Sequence, residues 1–419
     1  MRYPYSGIIV RFQDVTPAIP TPESSVATSE SPSATPTNSV SSGASDASSK
    51  INDELHVNYW EVGSRRFLDI GVMISSLTVQ AIRVDVPWKL KRSQIFDLGS
   101  ELNGEKIITA VFNEVVHYES ASDGDYAHIR LDPQGARDRK FTILRLNGTH
   151  LNASTEEMLS GGFSTRIQIT VPSVPDNVIQ GARYVRVRIV EVPRNVYTSM
   201  FYQKDRNVLS SSPETRIFDF RVNVRRGVPD DVLAGEADYI FPKFSKIHMF
   251  AIVPRERELA FQSERFKGCR SLEDEAVWNG YIQLPQRSKF SFDSVRNYLG
   301  YQWSVSAKEG GVKDLVALAR FTSVKSSVPN IVRFLMLALV VGASGSGIWA
   351  YAWCLRRPDT SGCSAAEVSD IHSLLVYRAA PAAFLLVIAS PKNLVRLYEA
   401  AKEGAKWALR RIGYYLSNQ

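Results

Sequence analysis

Between residues 51 and 306, apolar and polar side chains alternate with a period of two in a series of short runs. Alternation of that kind puts successive side chains on opposite faces and predicts β-strands with one face buried. The runs are 55–62, 66–75, 77–86, 106–117, 126–131, 141–146, 165–171, 183–192, 216–224, 246–253, 280–284 and 300–306. In RIFDFRVNV, Phe218, Phe220, Val222 and Val224 share a face, and Asp219, Arg221 and Asn223 share the other. In TRIQITV, Ile167, Ile169 and Val171 oppose Arg166, Gln168 and Thr170. Asn147-Gly148 is a hairpin-type turn signal. Helices should be few. Residues 154–159 and 271–278 open on serine with acids in the first turn. Residues 255–266 could form another short helix, and 314–320 a helical lead into the apolar C-terminal region. Many strands without βα alternation predict a mainly β domain over 51–307, an antiparallel β-sandwich of one or two sub-domains.

The pattern changes near the C-terminus. Residues 331–355, IVRFLMLALVVGASGSGIWAYAWCL, are almost wholly apolar. A helix of this length crosses a hydrocarbon layer of ~30 Å at ~1.5 Å per residue. Its centre holds two small-xxx-small pairs, Gly342 with Ser346 and Ala343 with Gly347, which permit close helix approach. Trp349, Tyr351 and Trp353 cluster at one end, where amphipathic rings favour the headgroup level. Residues 371–390 form a second, marginal span. Nine of its apolar residues contribute roughly −0.5 kcal/mol each, while Arg378 near the centre costs roughly +2.5 to +3.5 kcal/mol, and Pro381 weakens it further. Packed beside the first span, with Arg378 snorkelling or facing water, it becomes favourable. The expected unit is a two-helix transmembrane hairpin with an external loop at 356–370, preceded by a juxtamembrane segment at 308–330.

Residues 391–419 follow as a basic amphipathic helix. Leu394, Leu397, Tyr398, Ala401, Ala405, Ala408, Ile412 and Tyr415 recur at three- and four-residue steps. Lys392, Arg396, Lys402, Lys406, Arg410 and Arg411 are opposed only by Glu399 and Glu403, which leaves +4 of the chain's +7 on this tail. An anionic inner leaflet suits that charge better than a nucleic-acid groove does. Basic residues on both flanks of the hairpin predict cytoplasmic termini.

At the other end, residues 1–15 form a short lead with edge-strand character. Of the 35 residues 16–50, 21 are Ser, Thr or Pro. Such a segment cannot bury enough apolar surface to offset its ordering entropy, and reads as a disordered linker. The opening residues lack a signal-peptide h-region, so no secretory signal is expected.

The chemistry-bearing residues are sparse. The cysteines, Cys269, Cys354 and Cys363, do not suggest a disulfide scaffold, although the last two flank the 356–370 loop and could pair. Gly99–Gly104 has the glycine spacing of a phosphate loop, but Glu105 stands where lysine is required. The histidines are scattered, and none pairs in sequence at metal-ligand spacing. No catalytic motif, cofactor fingerprint or metal set stands out, so a non-enzyme is expected. An enzyme with dispersed catalytic residues would need a deep polar cleft in the β body. Basic groups at Arg65-Arg66, Lys89/Lys91/Arg92, Arg137/Arg139/Lys140 and Arg225-Arg226 sit in separate turns. The densest mixture, VPWKLKRSQIFDLGSEL, makes Trp88, Lys89, Lys91 and Arg92 the expected recognition edge.

The reading that unites these features is a membrane-anchored sensor or effector. Its cytosolic β domain recognises a protein or small-molecule signal. Its hairpin, self-associating into a homo-oligomer, anchors to or perturbs the membrane. The layout is that of bacterial membrane-acting effectors, including antiviral-defence ones, an analogy of layout and not of site. The alternative is a structural or viral membrane-associated protein that assembles at a membrane or binds nucleic acid.

Overall fold

A computed structural model describes residues 3–14, 53–121, 124–131, 139–175, 178–202, 212–234, 238–283, 294–307 and 310–325, with isolated helical positions at 334, 335, 338, 342 and 349. The chain divides into two compact units, one comprising Met1–Met200 with Arg216–Thr322 and the other Phe201–Thr215 with Ser323–Gln419. In the second unit the described residues are strand ends and the isolated helical positions, among which Phe334, Leu335 and Trp349 are exposed. No helix among the described residues is long and apolar enough to cross a membrane. The spans expected at 331–355 and 371–390, the tail at 391–419 and the linker at 16–50 lie outside the described residues, those isolated positions apart.

The first part of the chain forms β1 (Ile9–Asp14), β2 (Glu54–Val62), β3 (Arg65–Ile74), β4 (Val79–Val86), β5 (Ile95–Asp97), α1 (Glu105–Phe112), β6 (Val116–Ser120), β7 (Tyr126–Leu131) and β8 (Arg139–Leu144). Then come β9 (Leu151–Glu157), β10 (Phe163–Thr170), β11 (Ala182–Val190), β12 (Thr198–Tyr202), β13 (Ser212–Val222), α2 (Asp230–Leu233) and β14 (Tyr239–Ile240). The series closes with β15 (Lys246–Pro254), β16 (Glu258–Gln262), β17 (Phe266–Ser271), α3 (Glu275–Gln283), β18 (Tyr298–Ser306) and β19 (Leu315–Lys325).

The protein is mainly β, and its sheets are largely antiparallel. A ten-stranded sheet runs β17-β18-β15-β2-β3-β11-β8-β7-β6, with β5 added on β11. A five-stranded sheet runs β14-β1-β4-β10-β9, and a four-stranded sheet runs β12-β13-β19-β16. Among the described residues, β2 with β15 and β8 with β11 pair in parallel, a departure from the antiparallel expectation. The N-terminal lead is an inner strand of its sheet, since β1 pairs with both β4 and β14.

One apolar cluster collects inward residues of all three sheets, including Val10, Val57, Ile70, Val84, Ile167, Val187, Phe218, Met249 and Phe321. In β2 the alternation is clean, with Leu55, Val57 and Tyr59 entering this core. The opposite face of the large sheet is also covered. Trp60, Phe67 and Tyr184 there join Ile108 of α1 and Trp278, Tyr281 and Ile282 of α3 in a second cluster. The central strands are therefore buried on both faces, and the polar residues of the second face pair with one another instead of with water.

Several local expectations change in this context. Residues 106–117, expected as a strand, are mostly α1, and of the strand expected at 280–284 the described residues 280–283 end α3. Residues 154–159, expected as a helix, are largely β9, because they pair with β10 in register from Phe163↔Glu157 to Ile169↔Leu151. Residues 255–266 hold β16, and 314–320 enter β19, which reaches Lys325 inside the stretch expected to be juxtamembrane. The helix expected at 271–278 forms later, as α3. Asn147-Gly148 makes no hairpin. Asn147 caps a 3-10 turn linking strands of two different sheets.

Candidate functional site

On the helix-covered face of the large sheet, register builds a polar floor. The parallel β2–β15 ladder places Glu54 opposite Lys246, His56 opposite His248 and Asn58 opposite Phe250. On the other side of β2, His56 faces Gly71 of β3, and Gly71 faces Arg186 of β11. Gly71 lies in RRFLDIGVMI, and the space above it is filled by another residue: a Cβ there would fall 2.0 Å from the Tyr184 hydroxyl. A glycine inside a strand marks such a close approach.

Beside this floor, on the same face and under α3, Asp69 is fully buried. It accepts hydrogen bonds from Arg188 Nε (2.6 Å) and Nη2 (2.9 Å), Tyr281 Oη (2.8 Å) and Trp60 Nε1 (3.0 Å). A carboxylate has about four lone-pair sites, and Asp69 accepts four hydrogen bonds, one at Oδ1 and three at Oδ2. Arg188 Nη1 also donates to the Tyr281 carbonyl at 2.9 Å, which satisfies an end carbonyl of α3. Arg186 donates to Tyr281 Oη at 3.0 Å and to Tyr184 Oη at 2.9 Å. Tyr184 Oη lies 3.5 Å from His56 Nδ1, and His56 Nε2 lies 3.3 Å from Glu54 Oε2. Arg139 Nη2 reaches Glu54 Oε1 at 2.7 Å. A continuous polar chain thus runs from Asp69, deep under α3, to a cavity mouth at Glu54 and Arg139.

That cavity has a volume of about 220 Å³. Its floor is Glu54, His56, Asn58, Arg186, Lys246, His248 and Gln302, and Phe112, Asn113, Phe250 and Arg270 form walls. Arg270 lies over the Phe250 ring, 5.0 Å from its centroid, and donates to Asn113 Oδ1. Asn113 ends α1 in the left-handed conformation, with φ of 57°. The His56 and His248 rings meet edge to face with centroids 5.4 Å apart.

Burial sets the protonation of these groups. Burial pushes the His56 imidazole below its ordinary value, against the opposing hydrogen bond and charge of Glu54. Burial, then the neighbouring His56 and Lys246, lowers His248 to about 3. Both rings are therefore neutral near pH 7. Burial alone would raise the Glu54 carboxyl, but the His56 hydrogen bond and the charge and hydrogen bond of Arg139 outweigh it and hold Glu54 at about 2. Among the described lining residues there is no hydroxyl or thiol nucleophile. No group of three or more His, Cys, Asp or Glu among the described residues could hold a metal ion. The arrangement is equipped to hold an anion: fixed cations, ring nitrogens and amides around a small concave floor.

The expected recognition edge lies elsewhere. Trp88 is buried and packs edge to face on Tyr197. Arg92 donates to the Leu151 carbonyl at 2.6 Å and the Ile95 carbonyl at 2.7 Å, which fixes its loop to β9. Lys89 sits over the Phe163 ring at 5.6 Å beside an apolar hollow lined by Tyr3, Pro87 and Trp88. Lys91 lines a different hollow with Arg65, Arg66, Gln94 and Glu191. Two of the separated basic groups thus converge at Arg65, Arg66 and Lys91, and Arg139 joins the histidine cavity instead. Of the membrane residues, Gly342 and Trp349 are described only as helical positions. Ala343, Ser346, Gly347, Tyr351, Trp353, Arg378, Pro381, Lys392, Arg396, Lys402, Lys406, Arg410 and Arg411 lie outside the described residues.

Sequence reading missed the cavity because His56 and His248 lie on strands distant in the chain, joined only by a parallel register. Gly71 was the available signal. No family model matches the chain, and a search of curated proteins finds no match.

Proposed function

We propose that the protein is a membrane-anchored sensor or effector whose β-sandwich body recognises a signal and whose C-terminal two-span module anchors to, or on oligomerisation perturbs, the membrane. The observation that carries the sensing half is the cationic cavity at His56, His248, Arg139 and Lys246, built on a sheet buried on both faces and held by a filled hydrogen-bond chain. A site on so rigid a floor binds without prior ordering of its groups. The membrane half rests on the sequence of 331–355 and 371–390, where apolar content suffices for a first span and nearly balances for a second. The basic tail from Lys392 to Arg411 adds attraction of about 1 kcal/mol per residue to an anionic leaflet.

The test is fractionation of the full chain beside a version ending at Val328. The full chain should sediment with membranes and resist extraction at high salt and alkaline pH, and the shortened version should not. If both stay in the supernatant, the membrane assignment fails. Forced clustering of the full chain should lower the membrane potential of the host cells, and an unchanged potential would remove the effector role and leave only anchoring.

A further inference from the structure

We propose that the histidine cavity is a binding site for a small phosphate ester, with the phosphate dianion held by Lys246, Arg270 and Arg139 over the His56–His248 floor. The proposal rests on the sensing reading above and names the chemistry of its signal.

The first argument is charge. The lining holds four cations, Arg139, Arg186, Lys246 and Arg270, and two carboxylates, Glu54 and Glu114, so two positive charges are left over. Both histidines are neutral near pH 7 and do not alter this balance. A monoanion would leave the cavity cationic, whereas a phosphate monoester carries close to two negative charges at pH 7. Low-dielectric walls concentrate the field of such a cluster in the concavity.

The second argument is which donors remain unused. Arg186 is spent on Tyr184 and Tyr281, and its Nη2 donates to the Asn58 side-chain oxygen at 2.9 Å. It is part of the floor. The Lys246 ammonium has no hydrogen bond or ion pair among the described residues. Arg270 Nε is buried without a hydrogen-bond partner. His248 Nδ1 accepts from Gln302 Nε2 at 3.2 Å, which leaves the other ring nitrogen to donate to an occupant. Buried donors without partners are costly, and an oxyanion is the ligand that satisfies several of them together.

The third argument is size and shape. A volume of about 220 Å³ lies below the ~300–1,000 Å³ of drug-sized pockets. It suits a phosphate with a short organic portion, and the Phe112 and Phe250 walls give that portion apolar surface. The neighbouring hollow beyond Asn113 and Arg270 is lined by Glu105, Glu114, Glu273 and Asp274, which repel an anion and confine it to the histidine side.

The test uses the full chain in nonionic detergent and titration calorimetry with glycerol 3-phosphate, dihydroxyacetone phosphate and inorganic phosphate, against neutral glycerol and dihydroxyacetone. The phosphate-bearing probes should bind with an affinity that falls as salt rises, and the neutral ones should not bind. Lys246→Gln and Arg270→Gln should each weaken binding tenfold or more, and Lys246→Gln should do so without moving the melting temperature. Lys91→Gln, in the other basic hollow, should change nothing. Absence of binding by every phosphate probe, equal binding of the neutral compounds, or equal loss in Lys91→Gln would overturn the proposal. Inorganic phosphate binding as tightly as both esters would overturn the ester assignment. Failure here with the chain still in the membrane fraction rejects the ligand class alone. A full chain that fractionates as soluble rejects the anchoring reading and leaves this site standing.

Discussion

At the scale of single residues, the decisive fact is that a charge can be buried completely when a cation and several hydrogen-bond donors surround it. Asp69 is such a case, with Arg188, Tyr281 and Trp60 as its donors. Removing one member of a buried pair leaves the other uncompensated, which costs about 3–5 kcal/mol. Asp69→Ala should therefore lower stability by that amount, and Asp69→Ala combined with Arg188→Met should recover much of it, as read from thermal or denaturant midpoints. A single-variant loss below about 1 kcal/mol would mean that the pair acts like an exposed one. The burial of Asp69, Arg186 and Arg188 was not legible in the runs 66–75 and 183–192, because alternation shows that two faces differ but not what covers each. By contrast, the purely apolar faces were legible: Phe218, Phe220 and Val222, and Ile167, Ile169 and Val171, are all buried as their spacing implied. The site was nearly illegible, since the register joining His56 to His248 depends on a parallel pairing across almost two hundred residues. Gly71 was the exception, a strand glycine whose missing side chain makes room for Tyr184.

At the scale of elements, local propensity lost wherever pairing and burial opposed it. The β19 segment contains Ala317, Leu318 and Ala319, good helix formers, yet Leu315, Ala317, Ala319 and Phe321 alternate into the core between β13 and β16. In β9, Ser154 with two acids resembles a helix start, and the ladder to β10 prevails. Between elements, one carboxylate acts as a clamp. Glu61 of β2 accepts from Arg257 Nη1 (2.6 Å) and Nη2 (2.9 Å), Arg216 of β13 (2.9 Å) and Arg66 of β3 (3.1 Å). Burial would raise its pKa, but the hydrogen bonds and charge of Arg257, with Arg66 and Arg216, hold it at about 2. The folded value is below the unfolded one, so the clamp's contribution is complete above the unfolded value of about 4.5 and is lost as pH falls towards 2, on the order of 3 kcal/mol. Glu54 acts in the same direction over the same range. His248, neutral when folded, adds a further loss as pH drops from about 6.5 towards 3, because the unfolded chain then takes up the proton first. Stability should thus rise with pH from about 2 to about 6.5 and then level. Glu61→Gln should show a shallower acid limb than the parent chain. Thermal melts followed by tryptophan fluorescence across that range check this, and identical acid limbs would refute the clamp.

At the scale of the whole chain, the proposed topology has a consequence that its own cysteines can report. Cys269 is an exposed residue of β17, in the body assigned to the cytoplasm. Cys354 and Cys363 bracket the start of the loop assigned to the outer side, and these three are all the thiols in the sequence. The assignment rests on five basic residues over 308–333, the last of them Arg333 at the start of the first span, and six after the second, against Arg356 and Arg357 between them, which Asp359, Glu367 and Asp370 outnumber. Loop arginines and lysines are held on the cytoplasmic side, whereas acidic residues contribute little, so the contrast survives the two loop arginines. The marginal second span makes the prediction demanding. If Arg378 kept that span out of the bilayer, the tail would lie outside and the loop would remain external, and if neither span inserted, every thiol would be on one side. After mild reduction of intact cells, a membrane-impermeant maleimide should therefore modify Cys354 and Cys363 and spare Cys269, which should react only once the cells are permeabilised. A cysteine introduced by Ser417→Cys should behave like Cys269, and its labelling in intact cells would show a single span. Labelling of Cys269 from outside would reverse the orientation and, with it, the premise that the anion cavity samples the cytoplasm.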